Sequence, residues 1–270
     1  MALTGAAMAY RVQLEAVVDP GLLTAAACGA PLPLDVLVAQ ARTASPRAGA
    51  LKFARLYADP AATARIRFDD GVWVYVDRCS GRVVGKQVLY GGVFGTLGWL
   101  HIFGFAPNND WVAGGVALLF ALAMIAAGTV LWWPSTLRAL RAGSRLAPGL
   151  RGRAFSLNLH KTIAVYAAPV LLASALTGLP QAFHWGQAPA PAPQIALDGA
   201  RTDAVPLQQM LEKAQLLVPS PQRTQIRLSD AVATFEMVAP SAPHANALSY
   251  VHVAPYGGQV LGYVPHASNR

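Results

Sequence analysis

Charged residues are scarce in this sequence. Asp, Glu, Lys and Arg make up 13% of its 270 residues, whereas about a quarter of the residues are charged in an ordinary soluble domain. Hydrophobic residues make up 54%, and the mean hydropathy is +0.38. This composition argues against an ordinary soluble enzyme and favours a membrane protein.

The motifs of several enzyme classes are also missing. The sequence has no nucleophile motif, no glycine-rich phosphate loop and no Cys-x-x-Cys pair, so hydrolase and NTPase functions have no support. Its two cysteines, Cys28 and Cys79, lie in a region that we predict below to face outward, where disulfides are permitted. Because sequence alone cannot place two side chains within bonding distance, it leaves a Cys28–Cys79 disulfide open.

Acidic residues are absent from position 111 to position 197, and this gap contains two long uncharged runs. Val112 to Trp133 and Thr162 to Phe183 each have 22 residues. As a helix, such a run is about 33 Å long, which is enough to cross a hydrocarbon core of about 30 Å. The sequence therefore predicts two transmembrane helices in a lipid bilayer. A pair of buried soluble helices is the alternative.

Positive charge is concentrated between these runs. Six of the basic residues that produce the formal net charge of +8 lie there, which leaves +2 for the rest and removes the case for nucleic acid as a partner. These six are Arg138, Arg141, Arg145, Arg151, Arg153 and Lys161. Because positive loops stay in the cytoplasm, residues 134–159 are predicted to form a cytoplasmic loop, with outward-facing regions on both sides. Tryptophans suited to the headgroup layer lie near the span ends, at Trp111, Trp132, Trp133 and Trp185.

The two outward-facing regions resemble each other. The segment 33–37 (PLDVL) recurs 173 residues later as 206–210 (PLQQM), and 80–85 (SGRVVG) recurs 177 residues later as 257–262 (GGQVLG). In each copy a short helix entered through Pro-Leu precedes strands with alternating polarity and a glycine-centred hairpin. We predict an α+β membrane protein with two small helix-plus-antiparallel-sheet modules. They occupy residues 11–91 and 185–270.

The repeat also extends towards the membrane. The LTG sequence at 3–5 matches LTG at 176–178, so residues 1–10 are interpreted as the end of a truncated transmembrane helix. Residues 92–133 then form an outer-interface segment and a transmembrane helix, and residues 160–184 form the next one. By the same offset, a further helix is expected beyond residue 270. A mis-started reading frame is the alternative explanation.

His101 and His160 are the candidate site residues. Ionisable groups at membrane depth are usually functional, and imidazole is an axial ligand of haem iron. His101 precedes the first span on the outside and His160 opens the second span on the inside, so they cannot share one haem. Each therefore needs a partner histidine from outside this chain. Interfacial histidines bonded to headgroups or backbone are the alternative, and His244, His252 and His266 are expected at the surface.

Several motifs, in this order, resemble the PepSY-associated transmembrane family. They are Val74 to Asp77 with Ser80-Gly81, Leu100-His101, Gly128 to Pro134, the arginine loop, Asn158 to Lys161, and Leu176 to Gly178. The resemblance covers nearly the whole chain. It implies a bacterial inner-membrane protein associated with iron uptake, with both PepSY-like modules facing the periplasm.

Some members of that family resemble ferric-siderophore reductases that carry b-type haems between histidines of paired helices. The resemblance thus implies haem-linked electron transfer to a periplasmic ferric siderophore, with haem b held by His160 on the cytoplasmic side and His101 on the periplasmic side. The second ligands are expected from the missing flanking helices or a partner subunit. The alternative is a non-redox binding or regulatory protein whose modules hold a peptide, a peptidase or a siderophore.

Overall fold

The chain divides into a helical unit within Trp99–Ala188 and a unit with a sheet, built from Ala2–Gly98 and Pro189–Arg270. The residues described by the computed structural model are 2–45, 47–131, 136–183, 204–229 and 231–268. The interfacial tryptophans Trp132, Trp133 and Trp185 therefore lie outside the described residues.

The sheet unit repeats one order of elements. Its helices are α1 (Ala2–Ala9), α2 (Arg11–Val18), α3 (Pro20–Leu23), α4 (Leu34–Ala44), most of α5 (Gly92–His101) and α9 (Leu207–Leu217). Its strands are β1 (Leu51–Tyr57), β2 (Ala64–Phe68), β3 (Val72–Val76), β4 (Val83–Val88), β5 (Arg223–Leu228), β6 (Ala233–Val238), β7 (Leu248–Val253) and β8 (Val260–Val264). Thus α4 and α9 each precede a run of four strands.

The eight strands form one antiparallel sheet in the order β4-β3-β2-β1-β5-β6-β7-β8. The two copies join at its centre, where β1 pairs with β5 and Ala54 lies opposite Ile226. The predicted α+β fold class is confirmed. Fusion of the copies into one sheet is a feature that the repeat pattern does not predict, because that pattern describes each copy by itself.

The two module helices begin in the same way. Pro33 (φ −55°, ψ 145°) and Pro206 (φ −54°, ψ 141°) precede α4 and α9 with nearly identical backbone angles. Each helix start is also capped by a side chain of the other copy. Asp35 accepts hydrogen bonds from the backbone N–H groups of Leu207 (2.8 Å) and Gln208 (3.0 Å), and Gln208 Oε1 accepts one from Leu34 N–H (3.0 Å). This reciprocal capping satisfies N–H groups that have no partner within their own helices.

One face of the sheet packs against α4 and α9 in a single apolar core. Apolar and polar residues alternate along the strands, so every second side chain points to this face. The largest fully buried core side chains include Phe68 and Phe235, followed by Leu34, Leu37, Ile66, Ile226 and Met237. Because strands of both copies share this core, neither copy is packed independently of the other.

Turns and a disulfide complete the sheet unit. The predicted glycine-centred hairpins are present, with Gly81 (φ 73°) and Gly258 (φ 65°) in the left-handed conformation that glycine adopts without strain. Cys28 and Cys79 form a disulfide. It connects the segment after α3 to the β3–β4 turn, which resolves the pairing that the sequence leaves open.

The helical unit contains α6 (Asn109–Leu131), α7 (Leu137–Gly143) and α8 (Gly152–Ala182). Two spans, Trp111–Gly128 and Gly152–Pro180, are long and apolar enough to cross a membrane and are almost unburied within the chain. The rings of Trp111 and Phe183 contact each other at 5.0 Å between centroids. Because Trp111 lies in the first turn of α6 and Phe183 follows the end of α8, the two helices run antiparallel.

The second helix begins earlier than the sequence predicts. The structure continues α8 back to Gly152, eight residues before the predicted start at 160, and α7 also lies within the predicted loop. Three α8 side chains on consecutive turns bind the backbone of the preceding segment. Asn158 Oδ1 accepts from Ala147 N–H (2.9 Å), Thr162 donates to the Gly143 carbonyl and Tyr166 to that of Ser144. Hydropathy misses these turns because they are helical but polar.

Candidate functional site

His101 is the last residue of α5 and lies beside an aromatic turn. Trp99 and Phe105 meet edge to face at 5.5 Å between centroids, and Phe103 meets Phe105 at 5.7 Å. Gly104 lets the chain turn here, because a Cβ at that position would collide with the Trp99 ring. The side chain of His101 is half-buried at this junction between α5 and α6.

His160 is exposed on α8. It lies two residues from both Asn158 and Thr162, which is about 200° around a helix of 3.6 residues per turn. Its side chain therefore leaves α8 on the side opposite the row that binds the preceding segment. This position makes the imidazole accessible to a group outside the chain.

The two candidate ligands lie at opposite ends of the helical unit. His101 precedes α6 at the end where Trp111 contacts Phe183. His160 is 23 residues from Phe183 along α8, or about 34 Å at 1.5 Å per residue. The described residues contain no group of three or more His, Cys, Asp or Glu side chains that could hold a metal ion. The imidazole nitrogen of a histidine is a group that can coordinate haem iron, and each of these two residues could contribute one.

The sheet contains a second candidate site that the sequence does not single out. On the face opposite α4 and α9, arginines and aromatic rings alternate across neighbouring strands. We call this surface the arginine face. Its members are Phe53, Arg55, Tyr57, Arg65, Arg67, Trp73, Tyr75, Arg223, Gln225, Arg227 and Glu236. The helix α3 borders it at β4, where Leu22 lies so close to Gly85 that a Cβ there would collide with it.

Guanidinium groups on the arginine face stack on aromatic rings. Arg67 lies 4.4 Å from the ring centre of Phe53 and 5.3 Å from that of Trp73. Arg65 lies 4.6 Å from the Tyr57 ring and 5.8 Å from the Tyr75 ring. Such contacts between cations and rings restrain the arginines without neutralising their charge.

Few protein groups accept hydrogen bonds from these arginines. Within the described residues, the Nε atoms of Arg65, Arg67 and Arg223 are buried and have no hydrogen-bond partner. Burial lowers the pKa of Arg67 and of Arg223 from the ordinary arginine value. Glu236 is the carboxylate of this face, and it already binds Arg227 and Gln225.

His252 lies beside the arginine face and corrects one expectation. The sequence predicts a surface histidine, but this side chain is 3% exposed. Its Nδ1 pairs with Thr234 Oγ1 at 3.1 Å, whereas its buried Nε2 has no hydrogen-bond partner among the described residues. Burial lowers the pKa of His252, so the ring is neutral at neutral pH. An isolated histidine in a strand with alternating polarity carries no sequence signal for this environment.

A signal for the arginine face does exist in the sequence. Arg65 and Arg67 alternate with buried residues in β2, as Trp73 and Tyr75 do in β3. Period-two alternation places each pair on one face. What the pattern cannot show is that β5 of the second copy adds Arg223 and Arg227 to the same face.

The comparisons with known proteins agree with the membrane interpretation. A family model described as the PepSY-associated TM region matches residues 1–261. A search of curated proteins finds no match.

Proposed function

Because the chain belongs to the PepSY-associated transmembrane family, we propose that it serves haem-linked electron transfer to ferric complexes in the periplasm. In this proposal it is a haem-dependent ferric reductase of the bacterial inner membrane, or a subunit of one, and acts in iron uptake. Family membership supports a membrane protein linked to PepSY domains. The redox chemistry is our inference from the resemblance described above together with the positions of His101 and His160.

One observation carries the proposal: the two histidines lie at opposite ends of an apolar helical pair. Electron transfer across a bilayer needs relay groups near both surfaces, and we assign this role to His101 and His160. Exposure of His160 on an apolar helix leaves its imidazole available to a group bound between helices.

Each histidine would contribute one imidazole nitrogen to a haem. The haem supplies one-electron transfer when bound. The apolar surfaces of α6 and α8 would exclude water from its edges, since most of their large side chains point away from the chain. In the overall reaction that we propose, a cytoplasmic donor would lose one electron and a periplasmic Fe(III) would gain it to become Fe(II).

The direction of transfer rests on the charge pattern and the disulfide. The basic loop favours the cytoplasm for the connection between α6 and α8. The Cys28–Cys79 disulfide suits an oxidising compartment, which supports a periplasmic position for the sheet.

Absorption spectroscopy tests the proposal. Haem is added to the detergent-purified chain together with imidazole, which supplies a second axial ligand. We expect a low-spin Soret spectrum, and we expect His101→Ala and His160→Ala each to lower the haem bound. His244→Ala is the matched control, because His244 is exposed in a loop of the sheet unit. A spectrum that none of these substitutions changes would contradict the assignment of both ligands.

A non-redox binding or regulatory protein is the second candidate function. The arginine face favours it, because a charged aromatic surface on the sheet can bind a ligand without any haem. This alternative predicts a stable complex with a peptide, a peptidase or a siderophore and no reduction of iron. Reduction assayed in proteoliposomes with an enclosed electron donor separates the two functions.

A further inference from the structure

We propose that the arginine face binds a small aromatic polyanion. This inference deepens the proposed function, on which it rests for the identity of the ligand. An anionic ferric complex with ring-bearing oxygen ligands fits this description. We infer the position of the site, its residues and its preference for a negatively charged ligand from the structure of the sheet.

Charge on the arginine face is strongly unbalanced. Among the described strand residues of this face there are five guanidinium groups and one carboxylate, that of Glu236, which gives a formal charge of +4. The charges of Arg11 and Glu15 of α2 also act on Tyr75, but these two residues form an ion pair and add no net charge. Five like charges on neighbouring strands repel each other, and an anion removes this repulsion.

The guanidinium groups are also held in place before a ligand arrives. Arg65 and Arg67 lie against rings on both neighbouring strands, and Arg55 is bonded through Nε to Gln225 Oε1 at 3.0 Å. A guanidinium whose position is fixed loses little conformational entropy when it binds an oxyanion. The buried Nε atoms of Arg65 and Arg67 lack acceptors among the described residues. Each of these side chains is half-buried, so its accessible part can donate to a ligand oxygen.

The rings favour an aromatic ligand. Phe53 and Trp73 are nearly parallel, with 17° between their planes and 6.3 Å between their centres, and the guanidinium of Arg67 lies near both. A ligand ring can extend this stack while its oxygens meet the arginines. Carboxylates or phosphates without rings would bind the guanidinium groups but would not stack on the aromatic side chains.

The depth of the surface favours a small molecule over a membrane. Tyr75 is 6% exposed, and Phe53, Trp73, Arg65 and Arg67 are half-buried. Lipid headgroups are reached by side chains that project from a surface. The backbone groups beneath these side chains are already paired within the sheet, so this face cannot add an extended peptide by strand pairing.

Calorimetric titration of the full chain in a neutral detergent tests the proposal. The probe is the gallium(III) tris-catecholate trianion, which resembles its ferric counterpart but is not reduced. We expect saturable binding that weakens about tenfold in Arg65→Gln and in Arg67→Gln, as charge-assisted hydrogen bonds are lost. Arg47→Gln is the matched control, because Arg47 is exposed outside this face. Circular dichroism verifies that each variant is folded.

Three further probes separate the alternatives. A neutral gallium tris-hydroxamate complex should bind at least tenfold more weakly than the trianion, and so should citrate, which has no ring. Equal binding of either would overturn the proposed selectivity. Binding to anionic lipid vesicles that depends on Arg65 and Arg67, without binding of the gallium trianion, would show a membrane contact instead. Because gallium(III) is not reduced, the titration measures binding without electron transfer. If the gallium complex binds but the ferric complex is not reduced, the proposed function is refuted and the proposed binding site is not.

Discussion

At the scale of single residues, Asp35 and Gln208 show how the two copies depend on each other. They occupy equivalent positions in α4 and α9, yet each caps the helix of the other copy. Asp35 serves two N–H groups and also places a negative charge at the positive end of α9. The interface between the copies therefore contains a directional polar contact beside the apolar core.

Replacing Asp35 tests this contact. We expect Asp35→Ala to lower the free energy of unfolding by about 0.5–2 kcal/mol, the range for loss of an N-terminal cap. Asp35→Asn keeps one carbonyl oxygen and should lose less, and Gln208→Ala should also lose less because it removes a single acceptor. Denaturant titration of the full chain in detergent measures all three, and equal losses would count against the reciprocal capping.

Buried His252 makes stability depend on pH. Burial lowers its pKa in the folded chain, so below the ordinary value of about 6.5 the unfolded chain binds a proton that the folded chain resists. The neutral ring therefore makes its full contribution to the free energy of unfolding above about pH 6.5. Below that pH the free energy of unfolding falls by at most about 1.4 kcal/mol per pH unit.

Substitution by glutamine should remove this dependence. Between about pH 7.5 and 5.5, we expect His252→Gln to lose less stability than the parent chain in denaturant titrations. His244→Gln, at an exposed position, is the control and should behave like the parent. The assignment to His252 fails if its variant keeps the full pH dependence.

At the scale of elements, the sheet joins segments that are far apart in sequence. The central pairing of β1 with β5 links residues about 170 positions apart, such as Arg55 and Gln225. The disulfide makes a shorter connection, over 51 residues, between the segment after α3 and the β3–β4 turn. It thereby holds α3 near the border of the arginine face, where Leu22 meets Gly85.

Removal of the disulfide should destabilise the sheet unit. For a closed loop of this length, the chain-entropy relation gives about 4 kcal/mol. We expect the double variant Cys28→Ser with Cys79→Ser to unfold at lower denaturant concentration, and dithiothreitol to shift the parent chain but not the variant. Mass spectrometry after alkylation checks that the parent is oxidised. Two alkylated cysteines in the untreated parent would contradict the disulfide.

At the scale of the whole molecule, the predicted orientation places the connection between α6 and α8 in the cytoplasm and the sheet in the periplasm. Both cysteines are bonded, so a single introduced cysteine reports its own position. In intact spheroplasts we expect Arg145→Cys to resist a membrane-impermeant maleimide and Gln259→Cys, an exposed position in the sheet unit, to react. If the two introduced cysteines react at the same rate in spheroplasts whose membranes are shown to be sealed, the predicted orientation is wrong.

Local features of the chain were predictable from the sequence by itself. The two spans follow from the length of the uncharged runs, and the strands of each copy follow from alternating polarity. Glycine-centred hairpins follow from a residue type that adopts positive φ without strain. The start of α8 at Gly152 could not be predicted in this way, because the first turns of α8 are polar. Hydrogen bonds connect them to Ala147 and Gly143.

Tertiary structure alone decided that both copies contribute to the arginine face, that Cys28 bonds to Cys79, and that His252 is buried. The arginine face and the environment of His252 depend on which strands lie side by side, and that pairing is stabilised by a core shared by both copies. The disulfide depends on how the segment after α3 lies against the β3–β4 turn. Arg223 of β5 lies opposite Tyr57 of β1 because β1 and β5 pair and join the strands of both copies in one sheet. Sequence periodicity specifies the face on which a side chain lies within its own strand, but the neighbour across the sheet is set by packing between distant segments.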